Sequence, residues 1–385
     1  MKTVELFAGI GGFRIAADRV GWETVWANDS SPKASAVYRD RFGPKEHREG
    51  DFAELKECVP NHDVLTGGFP CQPFSSAGKK EGTRDGRGTL FQLIVDVLKI
   101  KRPRYFGLEN VKRLLTMEAG CHFATILGAL AELDYSVEWR LLNAMHFELP
   151  QNRERVAIIG VRKSGESSQD SRIRLASPDD FVGIAGRYRE RLADPKTWRA
   201  ITDHKSRFPD WGLATTGRFI GADLKAFTAA RSAVKLASVL ETTVPIEFDF
   251  TDATLKWVNS NDPVNRFVNG VEILSNQRGG ARMGYTIFGM NGLAPTLTST
   301  TSRHYERYRV GERYRRLTNV EYARIQGFPD DHCRAVTVYD QYALFGNAAP
   351  PPLVEWVLRR LGEEGFTRHS LPHRYEPANL FDDAI

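Results

Sequence analysis

Cysteine is scarce in this chain: four in 385 residues, at Cys58, Cys71, Cys121 and Cys333, with no CxxC pair and no Cys/His cluster. That spacing excludes an ordinary zinc site and a disulfide-stapled scaffold, so each thiol is judged by its own surroundings and no metal is expected. Long apolar runs are also missing. Nothing approaches the roughly 18 to 20 apolar residues of a bilayer-spanning helix, and no membrane role is expected. Met1-Lys2 leads directly into the strand-like Thr3–Phe7 instead of a charged-then-apolar leader, so the expected compartment is the cytosol. No fixed-period repeat is present, which sets aside solenoids and propellers. The net charge of +5 is a small excess, compatible with a polyanionic partner only if it is concentrated on one face.

What is present is a length that exceeds one ordinary small core and suits two domains, or one carrying an insertion. From Thr3 to Val161 short apolar strands alternate with amphipathic helices, the pattern of a wound α/β sheet covered on both faces. Strands are expected at Thr3–Phe7, Thr24–Ala27, Asp63–Thr66, Tyr105–Leu108, Val137–Leu142 and Val156–Val161. Helical faces are expected from Leu90, Leu93, Ile94 and Val97 and from Phe123, Ile126, Leu127 and Leu130. The polar run 163–171 marks a boundary. Beyond it the alternation is lost, Gly, Asn, Thr and Arg accumulate, and a loop-rich recognition domain is expected. The tail looks compact again, with helices expected at Asn319–Gln326 and Leu353–Leu361. The expected division is 1–163 catalytic and cofactor-binding, 164–305 recognition, and 306–385 returning to the first domain.

Strand Thr3–Phe7 runs into Ala8-Gly9-Ile10-Gly11-Gly12, where glycines permit a tight strand-to-helix turn and close backbone approach to a nucleotide-like ligand. About 20 residues on, Asp29 at a second strand end is placed to take ribose hydroxyls. Asp51 offers an acceptor for an adenine amino group and Phe52 an apolar lid. The full GxGxxG is absent, which weakens a nicotinamide reading, and a turn that binds nothing is the plain alternative.

In Gly67-Gly68-Phe69-Pro70-Cys71-Gln72-Pro73-Phe74-Ser75 two prolines flank a cysteine just past a strand end, a stiff and exposed setting unlike that of a buried structural cysteine. Glu109-Asn110 ends another strand at the same carboxyl edge, where wound sheets bind ligands. Gln151-Asn152-Arg153-Glu154-Arg155 brings two guanidiniums there. Each feature alone could be a solvated charge; together they make a site.

These motifs, with Phe7-Ala8-Gly9-Ile10-Gly11-Gly12, Arg316-Leu317-Thr318, Glu321, Arg324-Ile325-Gln326-Gly327-Phe328-Pro329, Tyr342 and Gly346-Asn347, stand in the order found in cytosine-C5 DNA methyltransferases. The chain resembles that family, of the bacterial restriction-modification type, over nearly its whole length. The resemblance implies a Rossmann-like S-adenosylmethionine-dependent methyltransferase sheet with a smaller loop-rich target-recognition domain. It implies S-adenosylmethionine held by Phe7, Gly9, Gly11, Asp29, Asp51, Phe52 and Asn347. Cys71 is the implied nucleophile on C6 of a flipped cytosine, Glu109 its partner at N3 and the exocyclic amine, and Arg155, with Arg153 nearby, the contact to O2. Two departures are visible: Gly346-Asn347-Ala348-Ala349-Pro350 differs from the family around Asn347, and Ser30 replaces a bulky residue that covers adenine in some relatives. Both bear on cofactor affinity.

Double-stranded DNA is the implied partner, in a bacterial cytoplasm and at the nucleoid, for a monomer that shares its site with a cognate restriction endonuclease without a stable complex. Gln72, Ser75 and Arg87 belong to a glycine- and charge-rich loop suited to closing on DNA. Arg278, Arg282, Thr296 and Arg303 lie where the family's recognition loops meet the major groove, within a chain that interleaves arginine and tyrosine up to Arg316. Three other readings differ in class or substrate: a tRNA cytosine-C5 methyltransferase on the same fold, a non-catalytic DNA-binding regulator, and a cysteine hydrolase. The last lacks a histidine in a clear strand-end context.

Overall fold

Strands that read as near-continuous Val, Leu, Ile and Phe need helices on both faces of a parallel sheet, and the fold meets that need. The computed structural model describes residues 1–69, 90–163, 195–223, 234–276, 286–299 and 306–362. In chain order the first part forms β1 (Lys2–Leu6), α1 (Gly12–Arg19), β2 (Glu23–Asp29), α2 (Pro32–Phe42), β3 (His47–Glu49), the single turn α3 (Phe52–Leu55), β4 (Val64–Gly68), α4 (Leu90–Lys101), β5 (Tyr105–Val111), α5 (Cys121–Glu132), β6 (Tyr135–Asn143) and β7 (Glu154–Arg162). All the strands read from the sequence are there. β3 is an addition, three residues long and too short to carry a period.

These strands lie in the order β3-β2-β1-β4-β5-β7-β6. The first five are mutually parallel, and β7 runs antiparallel between β5 and β6. The chain winds outward from β1 to β3, then crosses back to the far side of β1 for β4 and β5. That reversal opens a crevice at the carboxyl ends of β1 and β4, where such sheets take their ligands.

The sheet then continues where the sequence reading ended it. β8 (Arg199–Ala200), β9 (Trp211–Thr215) and β10 (Arg218–Ala222) extend it, β9 pairing antiparallel with β6, to give ten strands. The physical reason is aromatic: Phe208 and Phe219 pack on Trp139 and Phe123, with ring centroids 5.0 to 6.0 Å apart. Trp211 Nε1 donates to the buried Glu138 at 3.1 Å. The large sheet therefore draws strands from beyond the expected boundary at 163/164. A signal existed in Thr216-Gly217, both at positive φ between two apolar runs, a two-residue hairpin turn.

A second sheet of five strands holds β11 (Asp262–Val268), β12 (Val271–Asn276), β13 (Thr286–Phe288), β14 (Arg307–Val310) and β15 (Arg313–Arg315), with α6 (Asp252–Asn259) before it. It spans the expected 305/306 boundary. After it come α7 (Asn319–Gln326), α8 (Val338–Asn347) and α9 (Pro351–Leu361); α7 and α9 match the two tail helices read from sequence.

Alternation along the large sheet sorts its side chains. Leu65, Phe106, Leu108, Val156 and Ile158 face a core shared with α4 and α5. Val64, Tyr105, Ala157 and Ile159 face one shared with α1 and with Leu353, Val354, Val357 and Leu358 of α9. Each such large apolar side chain, fully buried, contributes roughly 1.5–3 kcal/mol. Residues of α9 thus cover part of one face of the large sheet.

Candidate active site

The turn after β1 is tightly coiled: Phe7, Gly9 and Gly11 have φ of 54°, 56° and 84°. Positive φ is ordinary for the glycines and strained for Phe7. Ala8 N–H donates to Asn28 O at 2.8 Å, and Gly9 N–H to Asp29 Oδ2 at 2.7 Å. Ser31 N–H takes the other Asp29 oxygen at 2.8 Å. Burial raises the Asp29 pKa, and the donors Ser31 and Gly9 oppose it. Gly11 offers α1 no side-chain cap. Glu5 stands in: burial drives its pKa up to about 8 against the Tyr38 hydroxyl, the Arg14 charge and the backbone N–H groups of Arg14 and Phe13. Neither Glu5 nor its role was visible in sequence, where it reads as one polar residue in an apolar strand.

The C-terminal segment closes on this turn. A Cβ on Gly12 would lie 2.2 Å from Ala349 O, so only glycine lets that backbone approach, and the contact brings exposed Asn347 to the same neighbourhood. His332, 1% exposed, sets Nε2 2.7 Å from Ile10 O. A carbonyl can only accept, so this nitrogen carries the proton; burial holds the ring neutral, with a pKa near 4. Asp51 caps α3 through Ala53 N–H at 2.9 Å and is otherwise exposed. Phe52 corrects the expectation of a lid: it is 2% exposed, edge-on to Phe7 and Trp26, a core residue supporting Phe7 from beneath.

On the other side of the crevice β4 and β5 run in register, Gly68 opposite Glu109. A Cβ on Gly68 would come within 3.1 Å of Glu109 Oε2. Asn110 Nδ2 donates to Phe69 O at 2.9 Å, which fixes the chain two residues before Cys71. Cys71, Gln72, Ser75 and Arg87 themselves lie outside the described residues. From β7, Arg155 Nε reaches Glu109 Oε1 at 2.7 Å, both side chains 11% exposed. Burial lowers the Arg155 pKa and Glu109 opposes it. Cys333 is a core packer whose thiol burial pushes up.

Arg153 is a second correction. It was expected beside Arg155 at the base, but it is 1% exposed and turned away into the protein. Its guanidinium donates to Leu297 O at 2.7 Å and to Gly346 O and Ala348 O at 3.0 Å each. Strand alternation did not separate two arginines in a loop entry. Gln151 makes a parallel link, accepting from Leu297 N at 3.1 Å and donating to Gln326 Oε1 at 3.1 Å.

Thr296 Oγ1 donates to Asn152 O at 2.6 Å. It shares a cavity of about 240 Å³ with Lys112, Arg113, Asn152, Glu154 and Arg155. Lys112 and Arg113 were not singled out in sequence, although they directly follow Glu109-Asn110-Val111. Arg278, Arg282 and Arg303 lie outside the described residues.

A glycine turn with a partly buried carboxylate beside it, facing an acid–arginine pair across one crevice, is the arrangement of an α/β enzyme with a polar site at the carboxyl edge of its sheet. The profile of the family described as C-5 cytosine-specific DNA methylase matches residues 1–363. Type II methyltransferase M1.ScrFI of Lactococcus lactis subsp. cremoris is 31% identical over 375 residues, covering 94% of this chain and 78% of that protein. Type II methyltransferase M.HhaI of Haemophilus parahaemolyticus is 40% identical over 163 residues, covering 42% of this chain and 49% of that protein. A crystal structure of S. pombe Dnmt2 methyltransferase superposes with a TM-score of 0.59 at 17% identity, covering 94% of this chain and 98% of that one, and shares the fold. The chain belongs to the C-5 cytosine-specific DNA methylases and is a DNA (cytosine-5-)-methyltransferase.

Proposed function

We propose that the enzyme moves a methyl group from S-adenosylmethionine to C5 of a cytosine flipped out of a short duplex DNA sequence, through a covalent Cys71–C6 adduct. Its role is that of the protective methylase of a restriction-modification system. The observation that carries this reading is the Glu109–Arg155 pair beside Gly68, three residues before Cys71. C5 of cytosine is a poor nucleophile. Addition of the Cys71 thiolate to C6 makes it enamine-like, and Glu109 stabilises the charge that develops at N3 while holding the exocyclic amine. Arg155 steadies Glu109 and holds O2; Arg153 acts behind it. Once C5 is substituted, loss of its proton lets the thiolate leave and restores the ring. Extrusion of the base costs a few kcal/mol of stacking.

S-adenosylmethionine supplies a methyl group on a sulfonium. The residues present fit it: each Asp29 oxygen has a lone pair left after its backbone donor, Asn347 is exposed, and at Gly9 nothing stands within 4 Å of where a Cβ would be, which leaves that backbone open to a ligand. Phe7 lies on the same turn, with Phe52 packed edge-on against it and Asp51, the residue before Phe52, exposed; in this reading all three line the cofactor. In this reading Gln72, Ser75 and Arg87 close on DNA, and Thr296, Arg278, Arg282 and Arg303 contact the target. The five-stranded sheet and its flanking segments form the recognition part. The protein works as a monomer in a bacterial cytoplasm, on nucleoid DNA, alongside an endonuclease that it does not stably bind. No described helix is long and apolar enough to cross a membrane.

Bisulfite sequencing of a plasmid from a host expressing the chain, with Cys71→Ser alongside, tests this. Protected cytosines in one short motif, lost in Cys71→Ser, are expected. Well-expressed protein that protects none sinks the DNA reading and turns attention to tRNA.

A further inference from the structure

One ion pair in the cavity beside the active site is poorly suited to a structural role. One step past the last ladder pair of β5 and β7, Val111 opposite Arg155, Lys112 Nζ sits 2.9 and 3.0 Å from the two Glu154 oxygens. The side chains are 46% and 39% exposed, so water screens the pair and it adds little to stability. Around it the wall presents donors. Arg113 is exposed, with no carboxylate partner among the described residues. Asn152 is oriented by a relay: Arg153 N–H and Met145 N–H donate to Asn143 Oδ1 at 3.0 and 3.3 Å, which turns the Asn143 amide nitrogen onto Asn152 Oδ1 at 2.7 Å. Asn143 thus engages Asn152 Oδ1, and the Asn152 Nδ2 donor meets no acceptor among the described residues.

We infer that this cavity seats one phosphodiester of the DNA strand, and that Glu154 is its resting counterion. The inference rests on the proposed DNA substrate and names a contact within it. In the free enzyme Glu154 holds Lys112; in the complex Lys112 turns to a phosphate oxygen, joined by Arg113 and the Asn152 amide. The cavity borders Arg155, so the bound phosphate flanks the extruded nucleotide and positions it without reading sequence. Glu154 competes for Lys112 and repels the incoming phosphate. Its presence weakens DNA binding, the opposite of what an ion pair serving the fold would do.

The test is a cycle of wild type, Lys112→Met, Glu154→Gln and the double variant. Each is titrated with unmethylated linear plasmid DNA between about 50 and 200 mM salt, with thermal midpoints recorded in the same buffers. Lys112→Met is expected to weaken binding and to lower the slope of log K against log salt by about 1. Glu154→Gln is expected to tighten binding by about threefold to tenfold, as removal of a repelling rim charge does, and that gain should vanish in the Lys112→Met background. Midpoints should barely move. If Glu154→Gln binds no tighter, or its gain survives without Lys112, the counterion assignment is wrong while the methylation reading stands. A wild type that neither binds nor methylates duplex DNA overturns both.

Discussion

The two sheets of this protein were built under different constraints. The ten-stranded sheet buries both faces: β1, β4 and β5 are buried along nearly all their length, and its chemical groups stand at strand ends. In the five-stranded sheet only β13 is buried throughout. β11 is exposed at nearly every position, with Phe267 59% exposed near its end, and β12 is half-buried. A wall covered on both sides fixes the position of a side chain to fractions of an ångström, as bond-making chemistry needs. A ribbon wet on its faces leaves backbone and side chains free to meet a partner. Both sheets are anchored on the C-terminal segment by buried polar residues: Gln151 and Arg153, at the entry to β7, bond to Gln326, Gly346 and Ala348, while Glu306 and Arg315, at the small sheet, bond to Tyr322 and Glu321 of α7.

If that division is right, activity and stability should separate by region. The largest effect is expected from Glu109→Gln, which keeps shape and removes charge. The methyl-transfer rate should fall about 10²- to 10⁴-fold, whereas stability falls by no more than about 1–3 kcal/mol from the stranded Arg155. Methylation kinetics beside urea unfolding would measure both. A rate nearly unchanged in a destabilised protein would make Glu109 a structural ion-pair partner and break the comparison at its strongest point.

Glu321→Gln should do the reverse. Its carboxylate is fully buried, receives Arg315 at 2.7 and 2.8 Å, and closes a capping box on Thr318 N–H at 2.8 Å. Leaving Arg315 buried and unpaired costs about 3–5 kcal/mol. The folded fraction should still turn over at low temperature with kcat little changed. Arg153→Met lies in that anchorage on the C-terminal segment and should show both signatures. Three carbonyls lose their donor, for about 2–4 kcal/mol, and because two of them flank Asn347, the KM for S-adenosylmethionine should rise more than kcat falls. A purely structural Arg153 would lower the midpoint and leave that KM unchanged.

How far the sequence could be read follows the same division. Two-sided burial turns composition into pattern, so the strands, the turn at Gly9–Gly12, Asp29 and the Glu109 strand end were all legible. Burial also erased the difference between Arg153 and Arg155, since charge in a motif does not say which way a side chain turns. Phe52 was misjudged for the same reason: an apolar residue after a carboxylate fits a lid and a core equally well. In the small sheet little was legible because exposed strands carry no strict alternation. Its clearest local signal, Asn269-Gly270 at φ of 48° and 80°, is a hairpin turn hidden in a segment read as loops. His332 and Glu5 act through contacts over 322 residues and across a helix start, which no local window contains.

The smallest expected effect concerns pH and the base of the small sheet. Glu306, just before β14, is 3% exposed; one oxygen accepts the Tyr322 hydroxyl and the other is buried with no hydrogen-bond partner among the described residues. Burial raises its pKa to about 7, with the Tyr322 bond opposing. A carboxyl raised in the folded state binds its proton more tightly there than in the unfolded chain. Its contribution is complete below about 4.5 and is lost as pH rises through about 7. His332 has the opposite sign: with a folded pKa near 4, its contribution fades as pH falls from about 6.5. Wild type should therefore lose on the order of 2–3 kcal/mol between pH 5 and 8 through Glu306, and Glu306→Gln should lose much less over that range. Glu5, raised to about 8, adds its own loss from about pH 4.5 to 8 in both proteins, so the difference between the two curves is what isolates Glu306. Urea unfolding at pH 5, 6.5 and 8 separates the curves. Parallel curves would mean that Glu306 reaches water in solution, and the anchorage of the small sheet on α7 would then be looser than its buried polar residues imply.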